Sequence, residues 1–307
     1  MADLLKTYKA LADETRLRLI RLLMRGPLNV NEIIAVLHMG QSRISRHLKI
    51  LAESTLVVGR REGTWIYYQA SVGATDPLIA ETLSLLQRHE RALPHYTEDL
   101  QGLEAVIELR REQTRTFFDS ITHPEEVHQC PDGDFYRQVA LALLPERSRT
   151  VLDMGTGSGL LLPGLLGRAE QVIAVDASKT MLDMARQTVR EGVERCDFRL
   201  GDLAHLPVAD GEVDVVVACM VLHHLSNPAE ALSEGFRALR PGGQIAIVDL
   251  HQHNDESLRE KMADLWLGFP PAEVEGWLRD LNFNITGADV VGGPDSPKLI
   301  TFRGQKS

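Results

Sequence analysis

The chain is 307 residues long, 44% hydrophobic and 25% charged, with a formal net charge of −10. That length suits two domains, and no run of about 18 apolar residues is present from which a membrane-spanning helix could be built. The acidic balance excludes a surface that is basic throughout, but it is uneven: residues 1–75 hold 11 Lys or Arg against 6 Asp or Glu, a balance of +5, and the remainder 22 against 37, or −15.

A basic N-terminal module on an acidic body is the asymmetry expected when only that module meets phosphate. The opening MADLLKTYKALADETRLRLI mixes acids and bases where a secretory signal would place a basic start and an apolar stretch, so the expected location is the cytoplasm. Residues 11–23, LADETRLRLIRLL, predict an amphipathic helix with Asp13 as N-cap and Leu17, Ile20 and Leu23 on one face, ended at Gly26-Pro27. Residues 30–37 predict a short helix, His38-Met39-Gly40 a turn, and residues 41–51 a second helix with Ile44, Leu48 and Leu51 turned inward. Helix, short turn, helix is the helix-turn-helix pattern.

The outward residues of that second helix are Gln41, Ser42, Arg43, Ser45, Arg46, His47 and Lys49, donors suited to phosphates and base edges. LVVGRR and WIYYQ predict two strands around Glu62-Gly63-Thr64, a hairpin whose rim carries Arg60 and Arg61. A basic hairpin beside a recognition helix makes a winged helix-turn-helix. Through LADETRLRLIRLL, QSRISRHLKIL and the wing, residues 4–72 resemble the ArsR family of transcription regulators. The resemblance implies a homodimer that binds operator DNA and releases it when a ligand or metal binds. The family's known metal sites are not matched: Ala35-Val36-Leu37-His38 stands where arsenic sensors carry a Cys-x-Cys pair, and the helix after the wing has no Asp-x-His. His95-Tyr96-Thr97-Glu98 offers only half of a zinc site.

Asp76-Pro77 opens a helix to about residue 91, which the resemblance makes a pairing helix. A second helical stretch over about residues 98–119 places Leu100, Leu103, Ile107, Thr114 and Phe118 at near-heptad spacing, as dimer seam, linker strut or domain cap. Residues 123–134, HPEEVHQCPDGD, predict an irregular connection, and its His123, His128 and Cys130 are read as loop residues rather than metal ligands. The expected division is thus a DNA-binding domain at 1–75, a helical dimerisation or linker region at 76–133, and a third part at 134–307.

From Thr150 onward TVLDM, QVIAVD, CDFRL, VDVVVAC and QIAIVDL alternate with helical stretches, which predicts a parallel sheet covered on both faces. Such sheets bind ligands beyond the carboxyl ends of their strands. Directly after the first strand stands Asp153-Met154-Gly155-Thr156-Gly157-Ser158-Gly159. A nicotinamide dinucleotide fingerprint needs a third glycine three beyond Gly157, where Leu160 stands, so that reading fails. Asp176 ends the second strand, placed to accept hydrogen bonds from both hydroxyls of an adenosine ribose.

These residues resemble the class I S-adenosylmethionine-dependent methyltransferases over about residues 134–303. The resemblance implies a doubly wound, mostly parallel seven-stranded Rossmann-like sheet with KLITFR as its antiparallel seventh strand. The cofactor, S-adenosylmethionine or its product S-adenosylhomocysteine, would be held by Asp153, Gly155, Thr156, Gly157 and Gly159 around its methionine part. Asp176 and Ala177 would take its ribose, and Gly201, Asp202 and Leu203 its adenine, with Cys219 at the end of the fourth strand. The fold class is therefore α/β with an N-terminal α+β winged helix-turn-helix.

Ala218-Cys219-Met220 lacks the Asn- or Asp-Pro-Pro-aromatic sequence used on amide and exocyclic amine acceptors, which disfavours a DNA-base methyltransferase. His223, His224, His251 and His253 follow the fourth and fifth strands, with Asp249 and Asp255 nearby. They read as a base, as metal ligands, or as a polar rim with helix-entry packing; His223, His251 and His253 are the catalytic candidates and no metal ligand is assigned. Cys130, Cys196 and Cys219 do not fit an arsenic-methylating pattern and read as reduced thiols. Residues 255–269 predict an amphipathic helix that either lids an apolar acceptor or packs in the core. The function expected is a repressor, partnered by operator DNA and its own second copy, whose attached domain binds the cofactor as effector. A bifunctional repressor and small-molecule methyltransferase is the alternative, and an enzyme whose winged helix only dimerises is the third reading.

Overall fold

The computed structural model describes residues 3–121, 133–292 and 297–307. His123, His128 and Cys130 lie outside the described residues, as does the expected connection around them except for Gly133 and Asp134. The chain divides into two compact units, Met1–Arg110 and Arg111–Ser307, so the helical stretch expected as a region of its own is shared between them.

In the first unit, α1 (Leu4–Leu11) precedes α2 (Glu14–Leu23), whose N-cap Asp13 accepts from the backbone of Arg16. The buried face of α2 is made by Leu19, Ile20, Leu22 and Leu23, while Leu17 is only partly covered. The reason is charged: Arg18 and Arg21 also turn inward, both held by the buried carboxylate of Asp99. α3 (Val30–Leu37) starts with a capping box between Asn29 and Glu32 and ends at His38 in a left-handed conformation, φ 53°. α4 (Gln41–Glu53) buries Ile44, Leu48 and Leu51 completely, contributing roughly 1.5–3 kcal/mol each. The wing is β2 (Val57–Glu62) and β3 (Trp65–Ala70), and a two-residue strand not foreseen, β1 (Leu28–Asn29), pairs antiparallel with β3. α5 (Pro77–His89) closes the core through Ile79 and Leu83, and the N-terminal part of α6 (Tyr96–Ser120) does so through Leu103.

In the second unit, α7 (Gly133–Leu143) leads into β4 (Ser148–Met154), followed by α8 (Leu162–Leu166), β5 (Ala169–Asp176), α9 (Lys179–Thr188) and β6 (Cys196–Leu200). Then come β7 (Val213–Cys219), α10 (Pro228–Ala238), β8 (Leu239–Leu250), α11 (Ser257–Met262), α12 (Pro271–Asp280), β9 (Phe283–Val291) and β10 (Leu299–Lys306). The sheet order is β6-β5-β4-β7-β8-β10-β9, with β10 antiparallel to both of its neighbours and the β6-β5-β4-β7-β8 pairs parallel. β9 had no clear signal in the sequence, because its exposed and half-buried residues carry little apolar patterning. The strand order reverses between β4 and β7, the crevice where an α/β sheet takes its ligand. The stretch 255–269 is not one helix: it stops at Ala263, which has φ 57°, and Trp266, Leu267 and Phe269 are buried in the core. Among the described residues no helix is long and apolar enough to cross a membrane.

Candidate functional site

The outward face of α4 presents Gln41, Ser42, Arg43, Ser45, Arg46 and Lys49, all exposed. This follows from helical spacing, since Ile44, Leu48 and Leu51 occupy the opposite face. Arg43 also donates to the Thr15 hydroxyl at 3.2 Å, which steadies its stem. His47 departs from the expected face: its side chain is only 12% exposed and turns towards the N-cap Asp13, with Nδ1 3.6 Å from the carboxylate. Burial lowers its pKa, and the attraction of Asp13 does not make up for it. On the wing, Arg61 is exposed and donates to the Gly63 carbonyl, whereas Arg60 is drawn to the buried Glu62 at 2.8 Å. Of the two wing arginines, Arg61 is the one presented outward.

At the carboxyl end of β4 the glycines differ in what they do. Gly155 has φ 73°, and a Cβ there would stand 2.3 Å from the Val221 side chain; Gly159 has φ 81°, and a Cβ would stand 2.7 Å from the backbone of Ala185 on α9. Both permit close packing of the loop. Gly157, φ 53°, has open space where its Cβ would be. It is the glycine that leaves room for a ligand to approach the backbone. Asp176, at the end of β5, accepts from Gly157 N at 2.8 Å and from Ser178 N at 2.9 Å. One carboxylate thus ties the glycine loop to the start of α9. Its pKa is raised by burial, against which these backbone donors act.

Asp153 is buried at the end of β4 and accepts from the Thr156 hydroxyl at 2.7 Å. Burial pushes its pKa up to about 6, the Thr156 hydrogen bond opposing the rise. Leu203 is buried beside Gly155, while Asp202 accepts from Ala204 N at 2.9 Å and lies 3.2 Å from Arg111 of α6. The C-terminal part of α6 thereby reaches the loop expected to flank adenine. Farther along α6, the Asp119 carboxylate accepts from the Ser178 hydroxyl at 2.6 Å, and Phe117 and Phe118 pack with Ile121, Met181 and Met184. Burial drives the Cys219 thiol far above its ordinary pKa and raises that of Cys196 as well. Neither is poised as a thiolate.

Beyond β7 the chain turns at Met220, φ 55°, into His223 and His224. His223 is 3% exposed, and its Nδ1 lies 2.7 Å from Asp249 Oδ1 at the end of β8. Asp249 is itself anchored by the backbone of Leu222 and Leu250 at 2.8 and 2.7 Å. Burial works to lower the His223 pKa, and the carboxylates of Asp249 and Asp264 overcome it and raise it. Asp264, which sequence reasoning missed, is raised by burial, with His223 opposing. It lies 40 positions beyond His224, and no motif marks it. His224 is held neutral, its pKa lowered by burial and by neighbouring His223. His251 and His253 hydrogen-bond elsewhere: His251 faces the Gln252 carbonyl, and His253 Nδ1 accepts from Asp255 N, while burial and, to a lesser degree, the charge of His223 lower the pKa of His253.

Residues 13–58 match the family of bacterial regulatory proteins of arsR type, and residues 152–247 match a methyltransferase domain. The chain is 39% identical over 107 residues to an arsenite methyltransferase of Halobacterium salinarum, 34% of this chain and 27% of that protein. It is 34% identical over 134 residues to an uncharacterized 37.1 kDa protein in transposon TN4556 of Streptomyces fradiae, 42% of this chain and 38% of that one. An uncharacterized methyltransferase of Mycobacterium tuberculosis is 39% identical over 106 residues, 34% of this chain and 42% of its own length. The chain therefore spans between 27% and 42% of the length of these relatives. A chain of a solved complex containing the Haloferax volcanii Trm112 methyltransferase activator has the same fold, with a TM-score of 0.54 at 22% identity over 61% of this chain and 96% of that one.

Proposed function

We propose that this chain, which joins an arsR-family helix-turn-helix to a methyltransferase domain, is a DNA-binding repressor whose second unit binds S-adenosylmethionine or S-adenosylhomocysteine as its effector. The observation that carries the reading is α6, one helix of 25 residues. It gives Asp99, Leu103 and Arg110 to the packing of the first unit, where Arg110 pairs with Glu32 of the capping box. It gives Arg111, Phe118 and Asp119 to the ligand edge of the second, where Asp119 holds Ser178 next to Asp176. A ligand seated against Gly157 and Asp176 acts on groups that this helix also touches.

The residues fit the cofactor: Gly157 leaves the space, Asp176 offers a carboxylate for ribose hydroxyls, and Asp153 offers one for the methionine ammonium. Exposed Leu4, Leu5 and Tyr8 on α1 support a second copy of this chain as partner. Selection of binders from a random duplex pool, followed by footprinting, tests the reading: an inverted repeat is expected, with half-sites about one helical turn apart. Failure to enrich any duplex would overturn it.

A second reading, that the domain also transfers a methyl group to a small acceptor, is favoured by the buried His223–Asp249 pair at the edge beyond β7 and β8. The cofactor's sulfonium supplies an activated methyl group when bound, so the protein's part is to align the acceptor and hold its proton. A screen with methyl-labelled cofactor against small oxygen, nitrogen and sulfur acceptors tests it; release of S-adenosylhomocysteine with no acceptor faster than without protein would argue against it. The name of the Halobacterium salinarum relative suggests arsenite as acceptor, but the raised pKa values of Cys196 and Cys219 leave those thiols protonated and poor ligands for arsenic.

A further inference from the structure

We propose that His223 Nε2, His224 Nδ1 and Asp264 Oδ1 form a binding site for one divalent metal ion of the zinc, cobalt or iron class. The three atoms lie within 4.8 Å of one another. Asp264 Oδ1 stands 3.8 Å from the first nitrogen and 3.7 Å from the second. Both separations are too long for hydrogen bonds. The oxygen is nonetheless buried, on a side chain only 2% exposed, and has no hydrogen-bond partner among the described residues. A buried carboxylate oxygen is costly in that condition, and a cation held jointly with the two imidazoles relieves it. Around a tetrahedral ion with bonds of about 2.1 Å, ligand atoms lie about 3.4 Å apart. A contraction of a few tenths of an ångström brings Asp264 Oδ1 to that separation from each nitrogen, and the trio as a whole starts within 4.8 Å.

Its orientation is already fixed. His223 Nδ1 donates to Asp249 Oδ1 at 2.7 Å, and Asp249 is pinned by two backbone N–H groups. That is the arrangement of a metal-bound histidine with a supporting carboxylate, and it leaves the Nε2 lone pair facing Asp264. His224 Nδ1 also lies 3.4 Å from the Ala263 carbonyl. On metal binding, the His224 proton resides on Nε2 and Nδ1 turns its lone pair to the ion. The nearby guanidinium of Arg259 donates to the carbonyls of Asp264 and Leu265; its charge also acts on the Asp264 carboxylate, but Oδ1 accepts no hydrogen bond from the described residues. Two imidazoles and one carboxylate, with no thiolate, suit zinc, cobalt and iron better than magnesium or calcium. Three protein ligands leave a position for water or for an oxygen of a bound small molecule. The site belongs to the chain whether or not the regulatory reading holds.

The test uses the full chain, freed of metal by chelation and titrated with Co²⁺ followed by Zn²⁺. The expected result is a single Co²⁺ per chain with visible ligand-field bands, displaced by Zn²⁺. Asp264→Asn should abolish the bands, and Asp249→Asn should keep a shifted spectrum with affinity weakened about 10–100-fold. Calorimetric binding of S-adenosylhomocysteine, unchanged in each variant, reports that the second unit has folded; should Asp264→Asn fail that check, His224→Gln takes its place. Absence of ligand-field bands in the wild-type protein would overturn the proposal. Bands that persist unaltered in the folded variants would overturn it equally, because the ion would then sit on other histidines.

Discussion

Asp176 holds two backbone N–H groups at 2.8 and 2.9 Å and faces the room left by Gly157. Asp176→Asn keeps an oxygen for one of those donors but withdraws the charge, and each charge-assisted hydrogen bond to a ribose hydroxyl is worth about 1.5–3 kcal/mol. Calorimetry should therefore find S-adenosylmethionine affinity reduced by at least about tenfold, and an unchanged affinity would remove Asp176 from the ribose. The glycines make a sharper contrast. Gly155→Ala drives a methyl group into Val221 at 2.3 Å and should lower stability by about 1–3 kcal/mol. Gly157→Ala meets nothing within 4 Å, so its backbone cost is about 1–2 kcal/mol, and its main expected effect is on cofactor affinity. Asp153 carries a pH signature. Burial holds its pKa at about 6 without ligand, and a cationic methionine ammonium beside it favours the charged form. Binding then expels a proton below that pH, so affinity is full above pH 6 and falls as pH drops through it. Titrations between pH 5 and 8 that give one flat value would contradict this placement.

The elements of the first unit were legible in the sequence where the apolar face was periodic. α4 is the clearest case, since Ile44, Leu48 and Leu51 point inward and the exposed polar residues follow from them. Arg43→Ala and Arg46→Ala should each weaken duplex binding and reduce its salt dependence, whereas His47→Ala, turned towards Asp13, should leave that slope alone. What could not be read was the inward turn of Arg18 and Arg21, because their partner Asp99 lies some 80 positions away on α6. Asp99→Ala strands two buried guanidinium groups. It should cost about 3–5 kcal/mol, seen as a large fall in the urea midpoint of the first unit, and a loss under 1 kcal/mol would mean that the ion cluster is incidental. In the second unit the placing of the glycine loop after β4 and of Asp176 at the end of β5 was legible, because the apolar strands before them end where the glycines and the carboxylate begin. Asp264 was not, since only the fold of the chain after α11 returns it to His223 and His224. At 255–269, where the sequence left a lid or core packing open, Trp266 and Phe269 pack in the core, but not from one helix: their spacing suits a helix face, whereas Trp266 donates to the Leu225 carbonyl at 2.7 Å from a non-helical turn.

For the whole molecule, the +5 balance of residues 1–75 against −15 elsewhere suits the proposed division, in which duplex DNA meets one unit and the small ligand the other. A homodimer would set two α4 helices one helical turn apart, and Leu4→Glu with Leu5→Glu should yield a monomer by sedimentation and a footprint confined to one half-site. On the proposed function, ligand and DNA are linked through α6, and such linkage is reciprocal, typically about 1–3 kcal/mol, or 5- to 150-fold. The direct measurement titrates the selected duplex with the full chain at fixed salt. It is done without ligand, with saturating S-adenosylmethionine and with saturating S-adenosylhomocysteine. At least one ligand is expected to shift the DNA dissociation constant by about fivefold or more, and the same duplex to shift that ligand's affinity by an equal factor. Three superimposable DNA curves, at ligand concentrations shown by calorimetry to fill the site, would contradict it.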